Sequence, residues 1–264
     1  MSIFQALVLG VVQGISEFLP ISSSGHLILI PELFGWPDQG INFDVAVHLA
    51  TLCAILYVFR VDVARTAKAF VGNVKSQDAR LGWMIIIATI PAVVVGLVFG
   101  DQIESYFRDA KWVAINLIVW GVVLALADYV ATMRARRAQS GIRMTWGAAI
   151  SAGLAQAIAL IPGTSRSGIT ISAGLFAGLD RVQAARFSFL LAIPATAGAI
   201  ALTAAKAAAN QTPIEVMPTV VGFTAALIAG IVSITWLLKI ITKVSYTWFA
   251  IYRVLIALLI FVLV

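Results

Sequence analysis

Charge is scarce in this chain: Asp, Glu, Lys and Arg make up 11% of 264 residues, while 61% are hydrophobic and the mean hydropathy is +1.00. Soluble globular domains carry about 25% charged residues, so the composition excludes that class and points to an integral membrane protein. Cysteine is nearly missing, and the single Cys53 excludes an internal disulfide and a Cys-rich metal site. The start, "MSIFQALVLG", lacks a basic n-region and a small-residue cleavage site, so it reads as mature structure rather than a removable signal. The net charge of +6 does not point to nucleic acid, because most basic residues fall in the segments 60–80, 134–143, 181–186 and 239–243 between apolar runs.

Long apolar runs are what the chain has in abundance. They fall at about 44–60, 83–100, 112–132, 187–206, 218–238 and 246–264, each near the roughly 20 residues that a bilayer crossing requires. This predicts an all-α membrane protein with about six transmembrane helices. Shorter apolar runs at about 3–17, 25–35, 146–161 and 168–178 are too short to cross, and each pair meets at a polar Pro/Ser/Gly knot. They are expected to form two re-entrant helical hairpins.

Basic loops face the cytoplasm. Placing Arg60, Arg65, Lys68, Lys75 and Arg80 inside, together with Arg134, Arg136, Arg137 and Arg143, makes the first hairpin enter from the outer face and the second from the inner face. At an offset of 143 residues, "GVVQGISEFLPISSSG" (10–25) matches "GLAQAIALIPGTSRSG" (153–168) at six positions: Gly10, Gln13, Ile15, Ser22, Ser24 and Gly25 against Gly153, Gln156, Ile158, Ser165, Ser167 and Gly168. Each half reads hairpin, span, span, span. Three spans per half invert the second copy, which predicts one membrane domain, 1–264, built as an inverted-topology repeat of about 1–143 and 144–264.

Irregular backbone at membrane depth is tolerated only against protein or a water-filled cavity, so two knots imply a polar cavity. An apolar helix follows each knot, beginning near Ser23 and near Ser167, and helix N-termini suit phosphate. Arg166 fits phosphate bidentately; the alternative is that it snorkels or pairs with backbone carbonyls. Ser23 and His26 stand three apart at a helix start, as a nucleophile and base would, or as parts of a helix cap. Ser23 aligns with Arg166 across the repeat, so one half would supply the attacking oxygen and the other the charge clamp. Glu17, four residues after Gln13, is either a ligand for a hard divalent cation, a proton carrier, or a carboxyl kept neutral by burial. Gln13 offers an amide oxygen, while Ser165 and Thr170 either bond phosphate oxygens or cap.

Other polar residues carry weaker readings. Asp44 and His48 are expected to be an interfacial pair, and Asp128 and Arg253 to bond each other or a neighbouring helix. The Trp and Tyr residues read as an aromatic belt, and Asp101, Glu104, Arg108 and Lys111 as a solvated outer loop.

The stretches "QGISE" (13–17), "SSSGH" (22–26), "PGTSRSGIT" (162–170) and "FAIYR" (249–253) resemble the undecaprenyl-pyrophosphate phosphatases of the bacitracin-resistance type, across essentially the whole chain. The resemblance implies an enzyme that removes the terminal phosphate of undecaprenyl pyrophosphate and recycles the lipid carrier of cell-wall synthesis. It implies a divalent cation (Mg2+ or Ca2+) and a multi-pass location in the bacterial cytoplasmic membrane, with the site open to the outer, periplasmic side. By motif, the acidic positions fall on Gln13 and Glu17, with Glu17 the metal ligand; the Ser-rich motif on Ser22, Ser23 and His26; and the arginine motif on Ser165, Arg166 and Thr170, with Ser24 and Ser167 beside them also expected to bind substrate. Many members carry glutamate where this chain has Gln13, which implies lower metal affinity here. Expected partners are the polyprenyl pyrophosphate lipid, the membrane and, as an open option, a second copy of the chain. Ser23 assisted by His26 attacks phosphorus, or His26 or Glu17 activates water. A lipid-phosphate flippase shares the design of inverted repeats around an anion, and a structural subunit would leave the buried polar groups without a role.

Overall fold

The computed structural model describes residues 1–107, 109–137, 144–210 and 214–263. The described residues form eleven α-helices and no strand. In the first part of the chain these are α1 (Ile3–Ser16), α2 (Ser23–Phe34), α3 (Ile41–Val58), α4 (Arg60–Gly72), α5 (Gln77–Phe107) and α6 (Ala110–Arg136). The second part holds α7 (Trp146–Ile158), α8 (Arg166–Phe176), α9 (Arg181–Ala209), α10 (Val216–Ile240) and α11 (Thr247–Leu263).

Five helices are long and apolar enough to cross a membrane: α3, α5, α6, α9 and α10. The sixth expected span forms α11, whose 17 residues are apolar but stop short of that length. Large apolar side chains such as Leu97 on α5 and Val232 on α10 are exposed, as lipid-facing residues are in a multi-pass membrane protein.

Three expected loops prove helical. Residues 60–80 contain α4, which buries none of its side chains and carries Arg60, Arg65 and Lys68. The expected loop 181–186 is the first turn and a half of α9, where Asp180 caps the helix and Gln183 completes a capping box. The outer "loop" is the end of α5 and the start of α6, with Asp101 bonded to Lys206 at 2.6 Å and Lys111 inside α6. Arg108 and Arg143, expected in loops, lie outside the described residues.

The short helices pack in a reciprocal pattern: α1 lies on α10, α7 lies on α5, α3 packs on α10, and α9 packs on α5. Lipid offers no hydrophobic drive for helices to associate, so close van der Waals contact between small residues must supply it. A Cβ on Gly10 would stand 2.4 Å from Gly222 O, and one on Gly153, which lies 143 residues further on, 2.3 Å from Ala88 O. Both crossings therefore require glycine. Gly153→Ala is expected to cost about 1–3 kcal/mol of stability through overpacking, whereas Gly147→Ala on the same helix, with its nearest neighbour at 3.9 Å, should be near neutral. Thermal unfolding of both variants in detergent checks this; equal midpoints would contradict the close crossing.

The knots end in the same way. Pro20 and Pro162 lack the N–H that would continue a helix, and Ser22 and Ser165 then take positive φ values of 76° and 71°. Each serine Oγ accepts from the N–H three residues on, Gly25 at 3.4 Å and Gly168 at 3.2 Å. Each hydroxyl also lies 3.3 Å from that of the serine two residues on, Ser24 or Ser167. Such conformations in a non-glycine residue cost about 1–3 kcal/mol and cluster at functional sites.

Candidate active site

Glu17 lies at the C-terminal end of α1 and is 9% exposed. Phe18, the next residue, is fully buried and meets Phe189 edge-on at 5.6 Å between ring centres. That contact fixes the chain beside both Glu17 and Ser188.

The carboxylate gathers groups from both knots. Its Oε1 accepts from Arg166 Nη2 at 2.6 Å, and its Oε2 accepts from Ser23 Oγ at 2.7 Å and from Gln13 Nε2 at 3.2 Å. Arg166 and Glu17 are 149 residues apart in sequence. Ser23 is the first residue of α2 and Arg166 the first of α8, so two helix N-termini converge on one acid. A second link joins the knots directly, from Ser167 Oγ to Leu19 O at 3.1 Å.

Arg166 is held from behind. Its Nη1 donates to Ser188 O at 3.4 Å, while Thr170 Oγ1 donates to Arg166 O at 2.8 Å and lies 2.6 Å from Ser188 Oγ. Thr170 therefore faces the backbone behind Arg166, and Ser22 and Ser165 act as caps. Ser24 is exposed beside Ser22.

His26 stands apart from Ser23. Its Nδ1 lies 2.7 Å from Ser22 O, which can only accept, so Nδ1 carries the proton; Nε2 lies 2.7 Å from Tyr252 Oη. In this geometry the hydroxyl of Ser23 faces Glu17 and the imidazole holds the Ser22 turn to α11.

Four residues around the site, Ser188, Tyr252, Asn116 and Arg253, have no site role in the sequence reading, although Tyr252 and Arg253 end the "FAIYR" stretch. Ser188 and Asn116 are polar residues inside apolar spans, a signal that was available. Tyr252 and Tyr246, expected in the aromatic belt, turn inward: Tyr252 meets His26, and Tyr246 is fully buried and donates to Arg181 O at 3.3 Å. Asp128 and Arg253 do not bond each other. Asp128 takes both Nε and Nη2 of Arg181, at 2.5 and 2.8 Å, and also Ser245 Oγ, while Arg253 bonds only backbone carbonyls. The expected Asp44–His48 pair is a contact of the His48 ring with Asp44 O at 2.8 Å, and the Asp44 carboxylate accepts from Gln39.

Comparison with known proteins shows the family. Residues 6–259 match the family described as bacitracin resistance protein BacA. An undecaprenyl-diphosphatase of Moorella thermoacetica is 43% identical over 260 residues, covering 98% of this chain and 97% of its own length. A match over nearly the whole length, with the motif residues meeting on one buried carboxylate, establishes that this chain belongs to the BacA bacitracin resistance family.

Proposed function

We propose that this chain hydrolyses undecaprenyl pyrophosphate to undecaprenyl phosphate and inorganic phosphate at the Glu17–Ser23–Arg166 cluster. One observation carries the reading: a hydroxyl from α2 and a guanidinium from α8 occupy the two oxygens of a single buried carboxylate. The substrate named for the Moorella relative is a lipid diphosphate, and this cluster has the groups that phosphoryl transfer from one needs.

Free of substrate, Glu17 and Arg166 neutralise each other. An arriving diphosphate competes for the guanidinium, whose planar fork suits phosphate oxygens, and the N-termini of α2 and α8 add N–H donors. Glu17 is then left facing Ser23. Ser23 Oγ attacks the terminal phosphorus, the bridging P–O bond breaks, and its electron pair leaves on the lipid phosphate. The serine proton passes to Glu17 and on to the leaving group. Water then attacks the phosphoserine and gives a proton to Glu17; Ser23 Oγ departs, takes that proton, and inorganic phosphate is released. Charge developing on the transferring phosphoryl is met by Arg166. His26 assists by holding the Ser22 turn, and its Nε2 becomes available when Tyr252 releases it.

No group of three or more His, Cys, Asp or Glu side chains among the described residues forms a metal cage. A divalent cation, Mg2+ or Ca2+, nevertheless fits in the mode that uses one carboxylate and substrate phosphates. Glu17 and the buried Oε1 of Gln13, which has no hydrogen-bond partner, would hold it. Bound there, it would neutralise diphosphate charge.

The reading includes an inverted repeat of about 1–143 and 144–264, with α1–α2 and α7–α8 as re-entrant hairpins from opposite faces. The matched serine turns, the paired glycine crossings and the reciprocal packing support it. We place the protein in the bacterial cytoplasmic membrane with the site open outward, on the loop charges. A homodimer plays no part in this mechanism.

Rapid quenching of the enzyme with undecaprenyl pyrophosphate labelled at its terminal phosphate tests the covalent step. Label on Ser23, absent in Ser23→Ala, is expected. Full turnover by Ser23→Ala would instead assign the attack to water, and tight lipid binding without phosphate release by wild type would favour a flippase.

A further inference from the structure

Arg253, on α11, is the largest side chain with no exposure. A guanidinium at such a place pairs with a carboxylate or with backbone carbonyls; among the described residues Arg253 has no carboxylate. Five backbone carbonyls surround it instead. Its Nε donates to Leu117 O at 3.1 Å, and its Nη2 to Thr164 O at 2.8 Å, Gly163 O at 3.0 Å and Asn116 O at 3.3 Å. Its Nη1 donates to Pro20 O at 3.4 Å.

These carbonyls belong to three segments. Pro20 lies in the first knot, Gly163 and Thr164 in the second, and Asn116 and Leu117 on α6. The knot carbonyls stand where helices are interrupted, so no helical N–H serves them, and at membrane depth water is not at hand. One guanidinium satisfies all three. A neighbouring bond, Asn116 Nδ2 to Pro162 O at 3.1 Å, adds to the same clamp.

The clamp grips the chain next to the reacting groups. Pro20 is three residues after Glu17 and three before Ser23, and Thr164 is two before Arg166. A Cβ built on Gly168 would lie 2.9 Å from Arg253 Nη1, so the guanidinium rests against the first turn of α8, the turn that begins with Arg166. Arg253 touches neither Glu17 nor Ser23, and its hydrogen bonds leave the side chain of Arg166 alone.

We propose that Arg253 is a positioning residue for phosphoryl transfer: it ties the two knots together so that Glu17 with Ser23 and Arg166 address one phosphoryl group. The inference rests on the phosphatase reading above. Its role depends on the fork, which spans three segments, and not on charge alone.

The test compares wild type, Arg253→Lys and Arg253→Gln for kcat and KM of phosphate release. It also counts sites per chain for a methylene-bridged prenyl diphosphonate, which binds but is not cleaved. Lysine keeps the charge and loses the fork. Because a misplacement of 1 Å costs about 100-fold in rate, Arg253→Lys is expected to lose about 100-fold in kcat, with KM within about threefold of wild type and one analogue site per chain. Gly168→Ala, which crowds the guanidinium while leaving Arg253 in place, should show the same split more mildly and decides the matter if the Arg253 variants do not fold. Near wild-type kcat in Arg253→Lys would overturn the proposal, as would losses of kcat that track losses of analogue sites. Absence of phosphate release by wild type would overturn the phosphatase reading instead.

Discussion

Glu17→Gln is expected to lower kcat for phosphate release by about 10³-fold, within the range that loss of a positioned general base produces. The substitution keeps the shape of the side chain and removes the proton acceptor that Ser23 Oγ faces at 2.7 Å. It also strips Arg166 of the anion held at 2.6 Å. Breaking a buried ion pair by neutralising one member costs about 3–5 kcal/mol; here the cost is smaller, since the Arg166 side chain keeps 16% exposure and substrate supplies a replacement anion. The thermal midpoint should therefore fall in the free enzyme and recover with bound diphosphate analogue. Glu17→Asp, which keeps the charge one methylene back, should lose less activity. Steady-state phosphate release and melting curves for the two variants check both statements; equal activity in Glu17→Gln and wild type would remove Glu17 from the proton path.

Arg166→Lys is expected to lose about 10²-fold to 10³-fold in kcat/KM, the effect of removing one preorganised donor to a developing oxyanion. Lysine keeps the charge but not the bidentate fork. Arg166 is aimed by bonds at its back, from Nη1 to Ser188 O and from Thr170 to its carbonyl; lysine would keep the second, a main-chain bond, and lose the guanidinium bond that orients the fork. Ser188→Ala, which deletes the hydroxyl 2.6 Å from Thr170 Oγ1, should shift activity in the same direction by a smaller factor. Kinetics on the three proteins check the order; wild-type kcat/KM in Arg166→Lys would reduce its role to bulk charge.

The knots were legible in the sequence because Pro, Ser, Gly and a single Arg interrupt long apolar runs, and such interruptions are costly in a membrane unless they have a use. The break points were legible for the same reason: helices were expected to begin near Ser23 and Ser167, and α2 and α8 begin at Ser23 and Arg166. The partners of the knots were harder to see. That Ser23 would turn to Glu17 and His26 to Tyr252 depends on how residues 17–22 fold back, which spacing along a helix does not describe. Arg253 and Asp128, each alone in an apolar run, looked alike as buried charges. Only tertiary packing shows that one meets Arg181 and the other five carbonyls. The segment 60–72 carried enough charge to read as a loop, yet a surface helix such as α4 also buries no side chain fully and only half-buries a few, among them Val63 and Phe70.

The claim that one phosphate site is divided between the two knots is tested most directly by inorganic phosphate release from undecaprenyl pyrophosphate, measured for purified wild type and Arg166→Ala, with and without a metal chelator. The account predicts release by wild type that chelator suppresses, and a loss of at least about 10³-fold in Arg166→Ala despite intact Glu17 and Ser23. Release by Arg166→Ala at the wild-type rate would contradict it, because the second knot would then contribute nothing to the chemistry.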